Sequence, residues 1–118
     1  MALTIFHNPR CSKSRKTLQL ITDAGVEPTV VLYLKEPPSA PKILDIAEKL
    51  GSTVADLLRR GEAEFGEATD LPDLVKSEAL ADWLASHPIV LQRPIVIDDD
   101  RGKAVIGRPP ENVLELLR

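Results

Sequence analysis

Cys11 is the only thiol in 118 residues, and it lies in the basic run His7-Asn8-Pro9-Arg10-Cys11-Ser12-Lys13-Ser14-Arg15. The chemistry this suggests is nucleophilic attack. A free cysteine has a pKa of about 8.5, so only roughly 3% is thiolate at pH 7. Lowering that value to about 6.5 would make it roughly three-quarters thiolate. Two features push in this direction. An apolar stretch, 3–6, reads as a strand interrupted by His7, Asn8 and Pro9, and a helical pattern begins at Ser12 with Leu18 and Ile21 on one face. The thiol therefore stands where a strand hands over to a helix, beside unpaired backbone N–H groups and the positive end of the helix dipole. Arg10, Lys13 and Arg15 add positive charge around it. A lone cysteine is more often a small buried hydrophobe. That reading asks for an apolar stripe, whereas the neighbours of Cys11 are polar and basic.

With no second cysteine, the chain can neither form an internal disulfide nor resolve its own oxidised sulfur. A catalytic cycle at Cys11 therefore needs a thiol from outside. A reducing cytosol is the natural compartment, which predicts a cytoplasmic protein. Two histidines and one cysteine are too scattered for a structural zinc site, so no metal or tightly bound cofactor is expected. His7 has two readings: support for the thiolate, or a satisfied polar residue at a strand end. Ser14 lies three residues after Cys11 on the same helical face, where its hydroxyl could donate to the sulfur or satisfy helix-end groups. Three arginines have an anion-binding reading beside the plain reading of a solvated charge. Arg59 follows an apolar helix that it could cap, Arg93 precedes a proline and a strand, and Arg108 stands between a strand and a helix. Arg60 and Arg101 read as surface charges.

The elements that must position these groups follow from periodicity and breakers. After the strand at 3–6, a helix over about 12–24 ends at Gly25, and Val30-Val31-Leu32-Tyr33-Leu34 forms a second strand. Such a β-α-β unit implies parallel strands. Pro37, Pro38, Ser39 and Pro41 open a helix whose apolar face is Ile43, Ile46, Ala47 and Leu50, closed by Gly51. Thr53 and Asp56 start a short helix that runs to Arg59, Arg60 and Gly61. Residues 61–75 are acidic and irregular. Ser77 caps a further helix with Leu80, Trp83 and Leu84 inward, stopping at His87-Pro88. Strands at 95–97 and 104–106 flank a turn over Asp98–Gly102. The three aspartates there read as a solvated hairpin tip, since they lack the spacing of a calcium loop. Pro109 and Pro110 open a last helix with Val113, Leu114 and Leu117 apolar.

One domain, 1–118, accommodates all of this. The order predicts an α/β, thioredoxin-like three-layer fold, β-α-β then β-β-α around a mixed sheet, with its core at 1–36 and 88–118 and a helical insertion at 37–87. The net charge of −3 argues against nonspecific binding of nucleic acid. No apolar run approaches the length of a membrane span, and no signal peptide is expected.

The run from His7 to Leu18 resembles the opening of the glutaredoxin-coupled arsenate reductase family. Further blocks agree in order and spacing: Glu27-Pro28 through Tyr33-Leu34, Leu57-Leu58-Arg59, Arg93-Pro94-Ile95-Val96 and Ile106-Gly107-Arg108-Pro109-Pro110-Glu111. The resemblance spans essentially the whole chain. It implies that Cys11 is the catalytic nucleophile, His7 its neighbour in the active turn, and Arg59, Arg93 and Arg108 the oxyanion-binding set, with a cis bond before Pro94. Well-established members often carry Gly-Thr after the cysteine and a polar C-terminal extension. This chain has Ser12-Lys13 and ends at Arg118, like a shorter Cys-Ser-Lys-Ser branch. The family also includes polymerase-binding regulators with a Cys-X-X-Cys pair, whose second position is Ser14 here.

The implied reaction is reduction of arsenate, or a similar oxyanion, to arsenite. It proceeds through a Cys11–arsenic adduct, with glutathione as co-substrate and glutaredoxin as electron donor. Arsenate at pH 7 is mostly a dianion, so a thiolate attacking it needs positive charge that cannot titrate away. Arginine supplies that charge and a planar fork for two oxygens. Two other classes stay open on the same fold: a noncatalytic regulatory or interaction module, and a general glutathione-dependent thiol oxidoreductase.

Overall fold

The computed structural model describes residues 1–117. Strands β1 (Leu3–Phe6), β2 (Thr29–Val31), β3 (Ile95–Asp98) and β4 (Lys103–Ile106) form a mixed sheet in the order β2-β1-β3-β4. β1 and β2 are parallel, joined by the crossover helix α1 (Ser12–Asp23). β3 runs antiparallel to both β1 and β4. The α/β, thioredoxin-like order expected from the sequence is the observed one. The chain divides into two compact units, residues 1–33 together with 93 onward, and residues 34–92.

In the first unit, Leu3, Ile5, Ile21, Val96, Val113 and Leu116 form a buried cluster with Leu18, Leu20, Val26, Val105 and Leu117 packed on it. It joins α1 and the C-terminal segment to the sheet. That segment is a 3₁₀ helix, Pro110–Glu115, and not the expected α-helix. Three residues per turn put Pro110, Val113 and Leu116 on one buried line. Leu114, off that line, is therefore 43% exposed. β2 is also shorter than expected. Its only sheet neighbour, β1, ends at Phe6, and the ladder closes with the His7 N–H on the Val31 carbonyl at 2.8 Å. Tyr33 lies in the turn that follows and is fully buried there.

The β3–β4 turn is a clamp and not a solvated tip. Asp98 is 1% exposed. One of its oxygens accepts from Arg101 Nε at 2.6 Å, and the other from the N–H groups of Asp100 and Arg101 at 3.0 and 3.1 Å. Arg101, expected as a bare surface charge, also donates to the Leu116 carbonyl at 2.6 Å. Asp99 accepts from the Thr4 hydroxyl at 2.7 Å, and Asp100 from the Ala2 N–H at 2.9 Å. Hydrogen bonding by the Arg101 side chain, outweighing the cost of burial, holds the Asp98 carboxyl below the usual carboxylate range. A depressed folded-state pKa adds stability above the unfolded value of about 3.9 and loses it as pH falls through the folded value. Asp98→Asn is therefore expected to cost about 1–2 kcal/mol at pH 7. Thermal melts from pH 7 down to pH 2 should show the gap to wild type closing in acid. A gap independent of pH would contradict the ion-pair account.

The second unit is helical. α2 (Ala40–Leu50) starts where the Ser39 hydroxyl accepts from the Lys42 N–H, and it stops at Gly51, whose φ of 68° favours glycine. It packs on α4 (Ser77–Ala85) and on a 3₁₀ turn, Val54–Leu57. The expected helix to Arg59–Gly61 stops early, because the chain there turns extended and pairs with another segment. Leu58 bridges Leu91, the Arg59 N–H donates to the Val90 carbonyl at 2.6 Å, and the Gln92 N–H donates to the Leu57 carbonyl at 2.7 Å. Within the acidic stretch read as irregular lies one helical turn, α3 (Ala63–Gly66). Ser77 is the first residue of α4 and not its cap, a position taken by Lys76. Among the described residues, no helix is long and apolar enough to cross a membrane.

Candidate active site

Register gathers the site at one end of the sheet. Phe6, Ile95 and Ile106 lie side by side in β1, β3 and β4. The segments just outside them, 7–11, 93–94 and 107–108, therefore meet at that end. Cys11, half-buried, is the residue before α1, with extended backbone (φ −93°, ψ 122°). Its N–H donates to the Asn8 carbonyl at 3.0 Å, and its carbonyl accepts from the Arg15 N–H at 3.0 Å, which starts the helix.

The thiol pKa lies below its ordinary value. Burial works against this, but the backbone N–H groups of Ser14 and Lys13 and the Arg93 guanidinium, as hydrogen-bond donor and as charge, outweigh it. Arg10, Lys13 and Arg15 were expected to act through their side-chain charges, and none does so here. Arg15 instead donates to the Pro9 carbonyl at 2.9 Å. Helix-end N–H groups are fixed in direction and cannot swing into solvent, unlike long exposed side chains, which is why the backbone does this work.

His7 is buried, and its Nδ1 lies 2.6 Å from Ser14 Oγ. Burial, and then the Arg15 charge, lower its pKa, so the imidazole is neutral near pH 7. Ser14 Oγ also accepts from the Asn8 N–H at 3.1 Å. The Ser14 hydroxyl thus faces His7 and Asn8, and what Ser14 gives the sulfur is its backbone N–H. His7 and Ser14 together lock the turn that carries Cys11.

Arg93 is 9% exposed and precedes a cis bond to Pro94. Its carbonyl accepts from Arg108 Nη1 at 3.3 Å, which places the two arginines together. A second cis bond, Arg108–Pro109, follows. Cys11, His7, Ser14, Arg93 and Arg108 all belong to the first unit. Arg59 belongs to the second, where its Nε pairs with Glu62 at 3.4 Å and its side chain is about a quarter exposed (23%).

A family model described as the ArsC family matches residues 6–116. The chain belongs to the ArsC family. One ArsC relative, named arsenate reductase, from Haemophilus influenzae, is 42% identical over 118 residues, which is 99% of this chain and 100% of the relative. The uncharacterized protein YfgD of Escherichia coli is 46% identical over 114 residues, covering 96% of this chain and 94% of its own. A solved structure of an arsenate reductase from Vibrio cholerae matches with a TM-score of 0.85 at 39% identity, over 98% of this chain and 97% of that one.

Three participants in this ArsC site escape a reading of residue types. Asn8 is buried, and besides its contact with Ser14 its side-chain oxygen accepts from the Arg10 N–H at 3.0 Å. The Asn-Pro pair marks a turn, but not which groups the turn will satisfy. Thr17, fully buried, donates to the Lys13 carbonyl at 2.8 Å. Gly107 packs against Thr17 and Pro94, and its signal in the sequence is a glycine between a strand and an arginine.

Proposed function

We propose that this chain reduces arsenate to arsenite through Cys11, with glutathione as the attacking thiol and glutaredoxin as electron donor. The observation that carries the reading is a half-buried thiol at the head of α1, biased toward thiolate by helix N–H groups and the Arg93 guanidinium. A cysteine so placed is built to attack an electrophile that itself brings negative charge. The full-length similarity to proteins named arsenate reductase supports arsenic as that electrophile.

The cycle balances as follows. The thiolate attacks arsenic(V), a sulfur–arsenic bond forms, and one arsenate oxygen leaves as water after taking up protons. Glutathione supplies the second thiol. The Cys11 and glutathione sulfurs are then oxidised to one mixed disulfide while arsenic takes two electrons and leaves as arsenite, and a glutaredoxin thiol takes the glutathione by exchange, which returns Cys11 as thiolate. Arg93 and Arg108 hold the oxyanion and offset charge on thiolate and arsenate together. The family resemblance assigns Arg59 the same task. His7, neutral and tied to Ser14, keeps the turn in shape and transfers no proton in this scheme.

The test is arsenite release by the purified chain with arsenate, glutathione and glutaredoxin, and with each omitted in turn. Release that needs all three is expected. Robust reduction of a glutathione mixed disulfide with no dependence on arsenate would replace this reading with that of a general thiol oxidoreductase.

A further inference from the structure

Gly107 has no backbone reason to be glycine. It is not among the positive-φ glycines, which are Gly25, Gly51 and Gly102. Space is the reason. A Cβ at Gly107 would stand 2.5 Å from Thr17 Oγ1, 2.8 Å from Pro94 Cγ and 3.1 Å from Thr17 Cγ2. Neither neighbour is the loose end of a long side chain. Thr17 is β-branched and fully buried on α1, and Pro94 is a closed ring. The Gly107 N–H donates to the Pro94 carbonyl at 2.9 Å, and its carbonyl lies 3.5 Å from the Thr17 hydroxyl.

We propose that Gly107 is a positioning residue, whose missing side chain lets Thr17 and Pro94 meet over it and so sets Arg93 and Arg108 against the Cys11 thiol. The chain of contacts is short. Thr17 belongs to the helix whose first N–H groups face the sulfur. Pro94 follows Arg93, and Gly107 precedes Arg108, which donates to the Arg93 carbonyl. A methyl group at Gly107 must push α1 away from the Arg93–Pro94 segment, and that gap is the one the thiolate and its guanidinium partner span. The inference rests on the proposed oxyanion chemistry only where arsenate is used as a probe.

Two readouts test it on the full chain: the rate of Cys11 alkylation by iodoacetamide at pH 7, and the arsenate concentration that half-protects Cys11 from alkylation. In Gly107→Ala the first is expected to fall about tenfold and the second to rise about tenfold or more, as for one weakened hydrogen bond to a charged group. The double variant Gly107→Ala/Thr17→Ala should recover part of both. A folded Gly107→Ala with a lower melting temperature but wild-type alkylation and protection would overturn the proposal, because a merely structural glycine behaves that way. Should Gly107→Ala fail to fold, Thr17→Ala loosens the same contact from the helix side, and wild-type values there overturn it equally. If arsenate fails to protect even wild-type Cys11, the arsenate reading falls, and the alkylation rate alone decides the positioning role.

Discussion

Arsenite release is expected to fall by at least about three orders of magnitude when Cys11 is replaced by serine, the loss expected when the attacking nucleophile of a covalent mechanism is removed. Serine keeps the shape and is a preferred residue at the position before a helix, so the melting temperature should hold or rise. What disappears is the ability to ionise. A hydroxyl beside the same N–H groups and guanidinium stays protonated, and no neighbouring base replaces the lost acidity, since His7 is committed to Ser14 at 2.6 Å. Loss of activity with an intact fold therefore isolates the thiolate as the nucleophile. In wild type, the alkylation rate should rise with pH as the thiolate forms and level off, with a midpoint below about 8.5. The sign follows from the dominance of groups that favour the anion over the burial that opposes it. Substantial turnover by Cys11→Ser, or a midpoint at or above the free-cysteine value, would sink the mechanism.

Arg93→Ala carries the next largest expectation, because one side chain serves twice. It favours the thiolate directly, and in the proposed function it also joins Arg108 in offering charge to arsenate. Each charged hydrogen bond lost is worth about 1.5–3 kcal/mol, or roughly ten- to a hundredfold. Both losses together should lower kcat/KM by about a hundredfold or more. The alkylation midpoint should also move up in pH. Arg93→Lys should restore part of the charge effect and little of the geometry, since lysine lacks the planar fork. Arg108→Ala should cost less, because it removes charge offered to arsenate but leaves the Arg93 contact with the thiol in place. Full arsenate turnover by Arg93→Ala, with Cys11→Ser dead, would leave Cys11 a nucleophile for a different substrate.

The parts of the fold that could be read from the sequence were those set by local pattern. β1, α1 and the β3–β4 hairpin follow from apolar runs bounded by strong breakers, and the observed bounds agree to within one residue. Features that depend on a partner were harder. β2 stops where β1 stops, and nothing inside Val30–Leu34 says so. The turn after Leu57 goes extended because Leu91 is there to pair with it. The last segment is 3₁₀ and not α, which buries Leu116 and leaves Leu114 exposed. At the site, residue type and position pointed to Cys11. The backbone N–H groups at the head of α1 were legible there too, as the unpaired donors of a helix start. The charged partner was not: charges nearby in sequence suggested Arg10, Lys13 and Arg15, whereas the tertiary fold supplies Arg93. Gly107 acts by what it lacks, and an absence has no chemical signature in a sequence.

The aspartate clamp has a practical consequence for handling the protein. Asp98 pairs with Leu3 at the opposite end of β1 from His7, about 13 Å away at four residues of extended chain. Ala2 and Leu116 both bond to that hairpin turn. A fluorophore attached beside Ala2 or Leu116 would therefore report on the far end of the sheet and stay clear of the thiol.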